Sequence, residues 1–481
     1  MFGSMHGPRN PDRYGARTML RALVPAAAPL LFLCVQQAAV AASDVEVMTQ
    51  LRDRALAGSQ AWQIVESLTS EVGARPAGSP AMTRAKEWAL QELTSLGFEN
   101  VHAEPFVKHD AWLRGPESAA LVEPVARELA ITGLGNSVPT PSSGIEAQVA
   151  VFSSLQQLIA TPVGALRDKI ALVNEPMVRT QDGEGYRTAV RARVQGASLA
   201  AARGAAAFLT RSITASEVRL PHTGAMLYAE GAPRIPAAAL AVPDAELIAR
   251  FAARGIPVRV RLHLASTVIA AAPAWNVVGE VRGRDLPQEA LIIGGHLDSW
   301  DLSECASDDG AGVAIAMAAA ELIARLPRHP RRTIRLVLWG SEETSGSGAA
   351  YAAAHRDEVP HIVMATEIDN GAARAYRLSL PAHPAADPGI AAIVGLLAPL
   401  KVLVSAEPAL SGGSDVDELQ AAGVPVASLH QDQTHYFDVH HSADDTLAHV
   451  QAADLDQNVA AWVVVLYAVA ESGINFRASS L

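Results

Sequence analysis

Two segments rich in imidazole and carboxylate groups lie close together in the middle of the chain. His296 and Asp298 follow directly after an apolar run over residues 291–293, which is typical of a buried strand. Asp308 and Asp309 come shortly afterwards and precede an apolar segment over 313–326 whose composition favours a helix. Open α/β sheets gather their functional groups in the crevice beyond the strand ends. A histidine and an acidic pair that converge there predict a metal site.

Three further segments place ligand-type residues directly after a predicted strand. They are Glu342 with Glu343 after 333–340, Asp369 after 361–368, and a histidine-bearing loop at 435–446 after 424–429. Taken singly, such residues are common as solvated loop acids, helix caps or structural histidines. Because the carboxyl ends of parallel strands meet at one edge of a sheet, the whole set indicates a shared metal-binding edge.

The elements that must position these residues alternate along the second half of the chain. Predicted strands cover 276–281, 291–295, 333–340, 361–368 and 424–429, and helices are predicted between most of them. A last helix covers 454–470, where Asp454 and Gln457 resemble a capping box. This order predicts an α/β fold in which a mostly parallel mixed sheet is sandwiched by helices.

A region with a different composition and shorter predicted elements interrupts the first half of the chain. Predicted helices at 61–68 and 80–96 and a strand at 101–106 are followed, over 112–271, by short strands, glycine and proline breaks and one alanine-rich helix at 198–206. No motif for chemistry stands in this region. With 481 residues the chain is long enough for two or three domains. We therefore predict a catalytic domain formed by 43–111 and 272–481, with 112–271 inserted as a smaller domain.

The amino terminus predicts export. Arg17 and Arg21 precede an apolar run at 23–35, and the small residues at 39–41 suit a cleavage site, so 1–42 is predicted to be a signal peptide and the mature protein periplasmic or secreted. The alternative is an uncleaved membrane anchor, for which the run is short. Removing 1–42 changes the net charge from −12 to −15 and leaves Cys305 as the only cysteine. We expect no intrachain disulfide, no membrane partner after cleavage and no nucleic-acid partner, because an acidic protein repels nucleic acid.

Five motifs together resemble those of metallopeptidase family 28, the co-catalytic zinc aminopeptidases and carboxypeptidases. They are Gly-His-x-Asp-Ser from residue 295, Asp-Asp-Gly-x-Gly from 308, Glu-Glu from 342, Ile-Asp from 368 and His-Ser-x-x-Asp-Thr from 441. The resemblance covers essentially the mature chain and implies the zinc exopeptidase fold with an inserted protease-associated-like domain. It also implies a homodimer.

The resemblance further implies two Zn²⁺ ions per chain, held by His296, Asp308, Glu343, Asp369 and His441. Asp308 would bridge the two ions, His296 and Asp369 would complete one site, and Glu343 and His441 the other. Oxygen and imidazole ligands without a thiolate suit Zn²⁺ in an open, catalytic site.

Roles around the metals follow from the same resemblance. Glu342 is implied as the general base that takes a proton from water shared by the ions, and Asp298 as the carboxylate that orients His296. A cis peptide bond is implied between Asp308 and Asp309.

Four residues are predicted near the substrate. Only His441 begins the final motif, so His440 is predicted to contact substrate or to pack beside the ligand. Tyr436 is a candidate hydrogen-bond donor to the oxyanion, with a structural role as the alternative. Ser414 and Asp415 are predicted to line the substrate cleft.

These features predict an exported di-zinc exopeptidase that hydrolyses dipeptides or short peptides as an aminopeptidase or dipeptidase. Zinc would lower the pKa of a bound water to about 7, which makes amide hydrolysis feasible near neutral pH. Two alternatives keep the fold. One is an N-acyl amino acid amidohydrolase or glutaminyl cyclase on the same site, and the other is a non-catalytic binding protein. Retention of all five ligand positions and of the base favours an enzyme.

Overall fold

The structure is a computed structural model, which describes residues 43–383, 387–474 and 476–477. The predicted signal peptide, residues 1–42, lies outside the described residues. Within the described ranges, no helix is long and apolar enough to cross a membrane.

The described residues form sixteen strands. In chain order they are β1 (Glu99–Leu113), β2 (Glu117–Glu123), β3 (Arg127–Leu129), β4 (Ile131–Gly133), β5 (Ile145–Phe152), β6 (Lys169–Val173), β7 (Ala207–Arg211), β8 (Ala237–Leu240), β9 (Arg259–Leu264), β10 (Thr267–Val281), β11 (Leu286–His296), β12 (Arg332–Trp339), β13 (Ile362–Glu367), β14 (Ala375–Ser379), β15 (Leu403–Val404) and β16 (Ser428–Gln431).

A helical segment over 46–56 precedes the helices that are labelled here. These are α1 (Ala61–Ser67), α2 (Pro80–Ser95), α3 (Leu155–Ile159), α4 (Glu184–Ala201), α5 (Val242–Ala253), α6 (Ala311–Ala324), α7 (Ser347–Ala354), α8 (Pro388–Leu397), α9 (Asp417–Ala421) and α10 (Ala452–Glu471).

The central sheet has five strands in the order β1-β10-β12-β11-β13. Strand β11 runs parallel to both of its neighbours, whereas β10 is antiparallel to β12 and to β1. The predicted α/β fold with a mixed sheet is therefore confirmed. Its parallel part consists of the three strands whose ends carry predicted ligands, so those ends meet at one edge. His296 stands in register with Trp339, and Gly294 with Glu367.

The main hydrophobic core lies between this sheet and its helices. Helix α6 packs against β11 and against α10, and its residues from Ala311 to Ile323 are all buried. An apolar surface on every side of the helix explains why the sequence there shows no amphipathic period. The buried helix holds the acidic loop in front of it against the strand ends.

A separate eight-stranded sheet is built from β2 to β9 in the order β3-β2-β9-β5-β6-β7-β8-β4, with its own apolar clusters. All of its strands lie within residues 112–271, where the insertion is predicted. The predicted boundaries at 112 and 271 fall inside β1 and β10, which pair as a long antiparallel ribbon, with Trp112 opposite Val268. The division of the chain into domains stays a prediction.

Two predicted elements differ from those observed. The helix expected at 198–206 ends at Ala201, and a turn through Gly204 at φ +92° leads into buried strand β7. The strand expected at 424–429 contributes only a single bridge, between Val426 and Ala365, and the chain then enters β16 of a three-stranded sheet, β15-β14-β16. The histidine-bearing loop therefore follows a strand outside the central sheet.

Candidate metal centre

Asp308 lies between two histidines that face different oxygens of its carboxylate. Its Oδ1 is 3.2 Å from His296 Nε2, and its Oδ2 is 3.0 Å from His441 Nε2. Burial alone would raise the pKa of Asp308, but the charges of His440 and His441 hold that pKa well below its usual range. A carboxylate with one imidazole at each oxygen is arranged to bridge two cations.

The loop that carries Asp308 is held at both sides by carboxylates. Asp445 accepts hydrogen bonds from the amides of Ser307 and Asp308 at 2.8 and 3.1 Å. Asp309 accepts from the amide of His296 at 2.9 Å. The peptide bond between Asp308 and Asp309 is cis, as the resemblance implied. Asp309 and Asp445 therefore position the backbone of His296 and Asp308, which could bind metal.

A buried arginine that the sequence analysis did not single out fixes the same loops. Arg75 is fully buried and donates to the carbonyl oxygens of Leu297, Glu304 and Cys305. The glycine- and proline-rich sequence around Arg75 predicts a loop and gives no sign that the arginine is buried. The arginine ties the end of β11 to the segment that leads into Asp308.

Glu343 completes a group of ligand atoms around Asp308. Its Oε2 lies 3.1 Å from His441 Nε2. His296, Asp308 and Glu343 place ligand atoms within 4.8 Å of one another. Asp369 follows β13 and lines the adjoining cavity, and it belongs to neither of the two tight ligand groups in the described residues. Four of the five predicted ligands are thus in direct contact.

Asp298 contacts the site differently from the prediction. The ring Nδ1 of His296 lies 2.9 Å from the backbone oxygen of Asp298, whereas the carboxylate Oδ1 is 3.7 Å away. That Oδ1 instead accepts the backbone amide of Glu342 at 2.9 Å. The main chain of Asp298 is placed to fix the tautomer of His296, and its side chain to position Glu342.

The two adjacent histidines are distinguished by their contacts. His441 Nε2 reaches both Asp308 and Glu343, whereas His440 Nε2 is 3.5 Å from Asp308 Oδ2 and its ring stacks on His441 at 3.6 Å. This geometry supports His441 as the ligand and His440 as its packing neighbour. Both rings are buried. Asp308, His440 and His441 also place ligand atoms within 4.8 Å of one another, so His440 lies close enough to contact the same site.

A cavity of about 860 Å³ opens beside this cluster. Asp369, Ser414, Tyr436 and His440 line it, and the buried hydroxyl of Tyr436 has no hydrogen-bond partner. Asp415 is used differently: its Oδ1 accepts from the Ser347 hydroxyl at 2.6 Å, which anchors the start of α7. The positions of Ser414, Tyr436 and His440 therefore support the predicted substrate contact, whereas that of Asp415 does not.

The region between β1 and β10 contacts the cluster of candidate ligands, although its sequence shows no motif for chemistry. Thr223 donates its amide to the carbonyl of His441 at 2.9 Å, and His222 Nδ1 lies 2.7 Å from the carbonyl of His440. Burial lowers the pKa of His222 to about 4, so its neutral ring can donate this hydrogen bond. Arg193 on α4 lies 3.4 Å from His441 Nδ1. These contacts hold His441, a predicted ligand whose backbone has φ +60°.

We expect the substitution Arg193→Met to weaken zinc binding by about ten- to a hundredfold, the usual effect of losing a group that orients a ligand. When His441 binds metal through Nε2, its Nδ1 carries the proton and faces Thr223 O at 3.4 Å. The guanidinium donates to that same carbonyl and to Tyr186 Oη, so its loss loosens the support of His441. Competition with a chromophoric chelator measures the affinity. Arg191→Met, on the exposed side of the same helix, is the matched control. Equal zinc affinity in both variants would contradict this role.

The donor set fits zinc. Glu343 Oε1 and Asp298 Oδ2 are buried oxygens without a hydrogen-bond partner, which is costly unless a cation or proton is nearby. Burial raises the pKa of Glu343 and of Asp369 to about 7, and neighbouring carboxylates add to the effect. The nearby thiol of Cys305 points elsewhere, since its Sγ donates to Trp300 O. Histidine and carboxylate donors around an open cavity are typical of catalytic zinc.

Comparison with known proteins agrees with these observations. The model of Peptidase family M28 matches residues 276–466. Carboxypeptidase Q of Mus musculus is 37% identical over 408 residues, covering 84% of this chain and 84% of that protein. Carboxypeptidase Q of Homo sapiens is 36% identical over 419 residues, covering 86% of each.

Solved structures show the same relationship. A Peptidase M28 precursor from Shewanella amazonensis SB2B has a TM-score of 0.88 and 41% identity, covering 90% of this chain and 98% of that one. A zinc aminopeptidase from Bacillus subtilis shares the fold, with a TM-score of 0.62 and 16% identity over 86% of this chain and 95% of its own. The resemblance inferred from the five motifs is confirmed: the chain belongs to peptidase family M28 and is a peptidase.

Proposed function

We propose that this peptidase is an exported di-zinc exopeptidase that cleaves dipeptides or short peptides. The observation that carries the proposal is the position of Asp308 between His296 and His441, one at each carboxylate oxygen. His296 with Asp369 would hold one ion, Glu343 with His441 the other, and Asp308 both. The relatives named carboxypeptidase Q support peptide hydrolysis as the reaction. Export and assembly as a homodimer rest on the sequence and on the resemblance alone.

When bound, two zinc ions would acidify water and polarise the scissile carbonyl. Glu342 would move the protons. Asp298 holds its backbone amide, and burial among carboxylates raises the pKa of its side chain, which favours a group able both to accept a proton and to return it to the leaving amine. The unpartnered hydroxyl of Tyr436 is available to donate to the carbonyl oxygen as negative charge develops there.

A substrate panel tests the proposal. Purified, zinc-loaded protein is assayed with unblocked dipeptides, amino-terminal chromogenic amides, N-acyl amino acids and amino-terminal glutaminyl peptides. We expect hydrolysis of the first class above the others. Release of acyl groups, cyclisation of glutamine, or no turnover in any class would contradict the proposed reaction.

Zinc should stabilise the protein more at pH 8 than at pH 5. The pKa of Glu343 and of Asp369 is about 7 in the metal-free fold, against ordinary values of about 4. Between these values the folded protein binds more protons than the unfolded chain, so these groups destabilise the metal-free fold increasingly as the pH rises. Bound zinc must displace the same protons, which are already absent at pH 8. Thermal melting with and without zinc at the two pH values measures the gain, and an equal gain at both would contradict the prediction.

A further inference from the structure

The cavity beside the metal cluster has a second polar wall, formed by the three-stranded sheet. On β14 and β16, Arg377 stands opposite His430, and Ser379 stands opposite Ser428. All four residues line the cavity. The intervening residue Leu378 points the other way and is fully buried in the main core. The alternation of the strand therefore turns one face, which we call the Arg377 wall, toward the cavity.

Arg377 has no acidic partner on this wall. Its Nε is buried without a hydrogen-bond partner, and in the described ranges no ion pair involves its guanidinium. Other buried or partly buried arginines have acceptors: Arg335 and Arg284 pair with glutamates, and Arg75 donates to backbone carbonyls. Within the described residues, the Arg377 guanidinium has no hydrogen-bond acceptor and lies 5.8 Å from the centroid of the Tyr376 ring, so its donors can serve an anionic ligand.

The neighbours of Arg377 add donors and positive charge. Burial, followed by the charges of Arg377 and Arg187, lowers the pKa of His430 to about 4, so its ring is neutral near pH 7. His430 Nε2 lies 3.3 Å from the Ser379 hydroxyl, and Arg187 lines the same cavity, with Glu184 as its exposed partner at 3.0 Å. The planar fork of an arginine matches a carboxylate through two parallel hydrogen bonds.

The part of the cavity next to the metal cluster has the opposite charge. Glu367 and Asp369 line it, and Glu367 Oε1 is a buried oxygen without a hydrogen-bond partner. A free amino group of the substrate would find hydrogen-bond acceptors there, whereas the donors that a carboxylate needs lie on the Arg377 wall. Two extended residues span about 7 Å, so a dipeptide fits readily within this volume.

We propose that Arg377, together with His430, Ser379 and Ser428, forms an anion subsite that binds a carboxylate of the peptide substrate. The inference rests on the proposed peptidase function and deepens it. The carboxylate comes either from the free carboxyl terminus of a dipeptide or from an acidic side chain beyond the scissile bond. Arg377 is a specificity-determining residue under this proposal, and the metal cluster does not depend on it.

Three substrates distinguish the two sources: Leu-Ala, its amide Leu-Ala-NH2, and Leu-Asp-NH2, which keeps only a side-chain carboxylate. Each is assayed with the zinc-loaded wild type, Arg377→Met, Arg377→Lys and the control Arg374→Met. Arg374 is an exposed residue near the start of the same strand, paired with Asp454 at 3.5 Å. Zinc content and melting temperature are recorded for every variant.

We expect Arg377→Met to raise the KM for Leu-Ala at least tenfold while its kcat stays within about threefold, since a hydrogen bond to a charged group contributes on the order of 1.5–3 kcal/mol. Arg377→Lys should recover part of the loss, and Arg374→Met should behave as wild type. A matching loss on Leu-Asp-NH2 rather than Leu-Ala would assign the subsite to a side-chain carboxylate.

An equal loss on all three substrates, or none on any, would overturn the anion subsite while leaving peptidase activity intact. Failure of the wild type on every substrate would count against the proposed function itself.

Discussion

The substitution Glu342→Gln should abolish hydrolysis and leave the zinc content unchanged. The glutamine side chain keeps the shape of the residue but cannot accept a proton, and removing a general base typically costs about 10²- to 10⁴-fold in rate. The hydrogen bond that Glu342 donates to the Asp298 carboxylate comes from its backbone N–H and is retained. Steady-state kinetics on an unblocked dipeptide, together with elemental analysis of the same sample, measures both effects.

The neighbouring residue supplies the contrast. Glu343→Gln removes an oxygen that lies 3.1 Å from His441 Nε2, so that variant should lose zinc as well as activity. Comparison of the two variants would thus distinguish a residue that transfers protons from one that binds metal. Normal turnover in Glu342→Gln would defeat the assignment of the base.

The second large effect is expected from Asp308→Asn. The neutral amide replaces the carboxylate that contacts His296 at one oxygen and His441 at the other, so neither ion would be held and turnover would be lost. Zinc content per chain, measured by elemental analysis after dialysis, should fall from about two toward zero.

Asp444→Asn is a suitable control for this variant. Asp444 occupies a variable position of the His-Ser-x-x-Asp-Thr motif and is partly exposed, and its carboxylate pairs with His449 at 3.4 Å. Its replacement should leave zinc and activity unchanged. If Asp308→Asn retained both ions, Asp308 could not be the shared ligand.

Positions at the ends of apolar strands were predictable from the sequence. His296, Glu343 and Asp369 each lie at or just after the end of a buried apolar strand. Parallel pairing brings the carboxyl ends of these strands to one edge of the sheet, independently of the loop conformations. The motif register also favoured His441 over His440, in agreement with the contacts.

Residues that act across long sequence separations were not predictable. Arg193 lies 248 positions from His441, and nothing in its local sequence indicates that its side chain will approach that histidine. Gln457 shows the same limit. It was expected to cap the last helix, but α10 begins at Ala452, and the buried Gln457 side chain bonds the backbone of Ala375 at 2.8 and 2.9 Å. A local pattern predicts which element forms, whereas the partner of a buried polar side chain depends on how the elements pack.

The central claim is that two zinc ions share Asp308. Anomalous diffraction from crystals of the zinc-loaded protein, collected on both sides of the zinc absorption edge, tests it directly. We expect two zinc peaks about 3.5 to 4 Å apart, one beside Asp308 Oδ1 and His296 and the other beside Asp308 Oδ2, Glu343 and His441. A single peak, or peaks remote from Asp308, would contradict it.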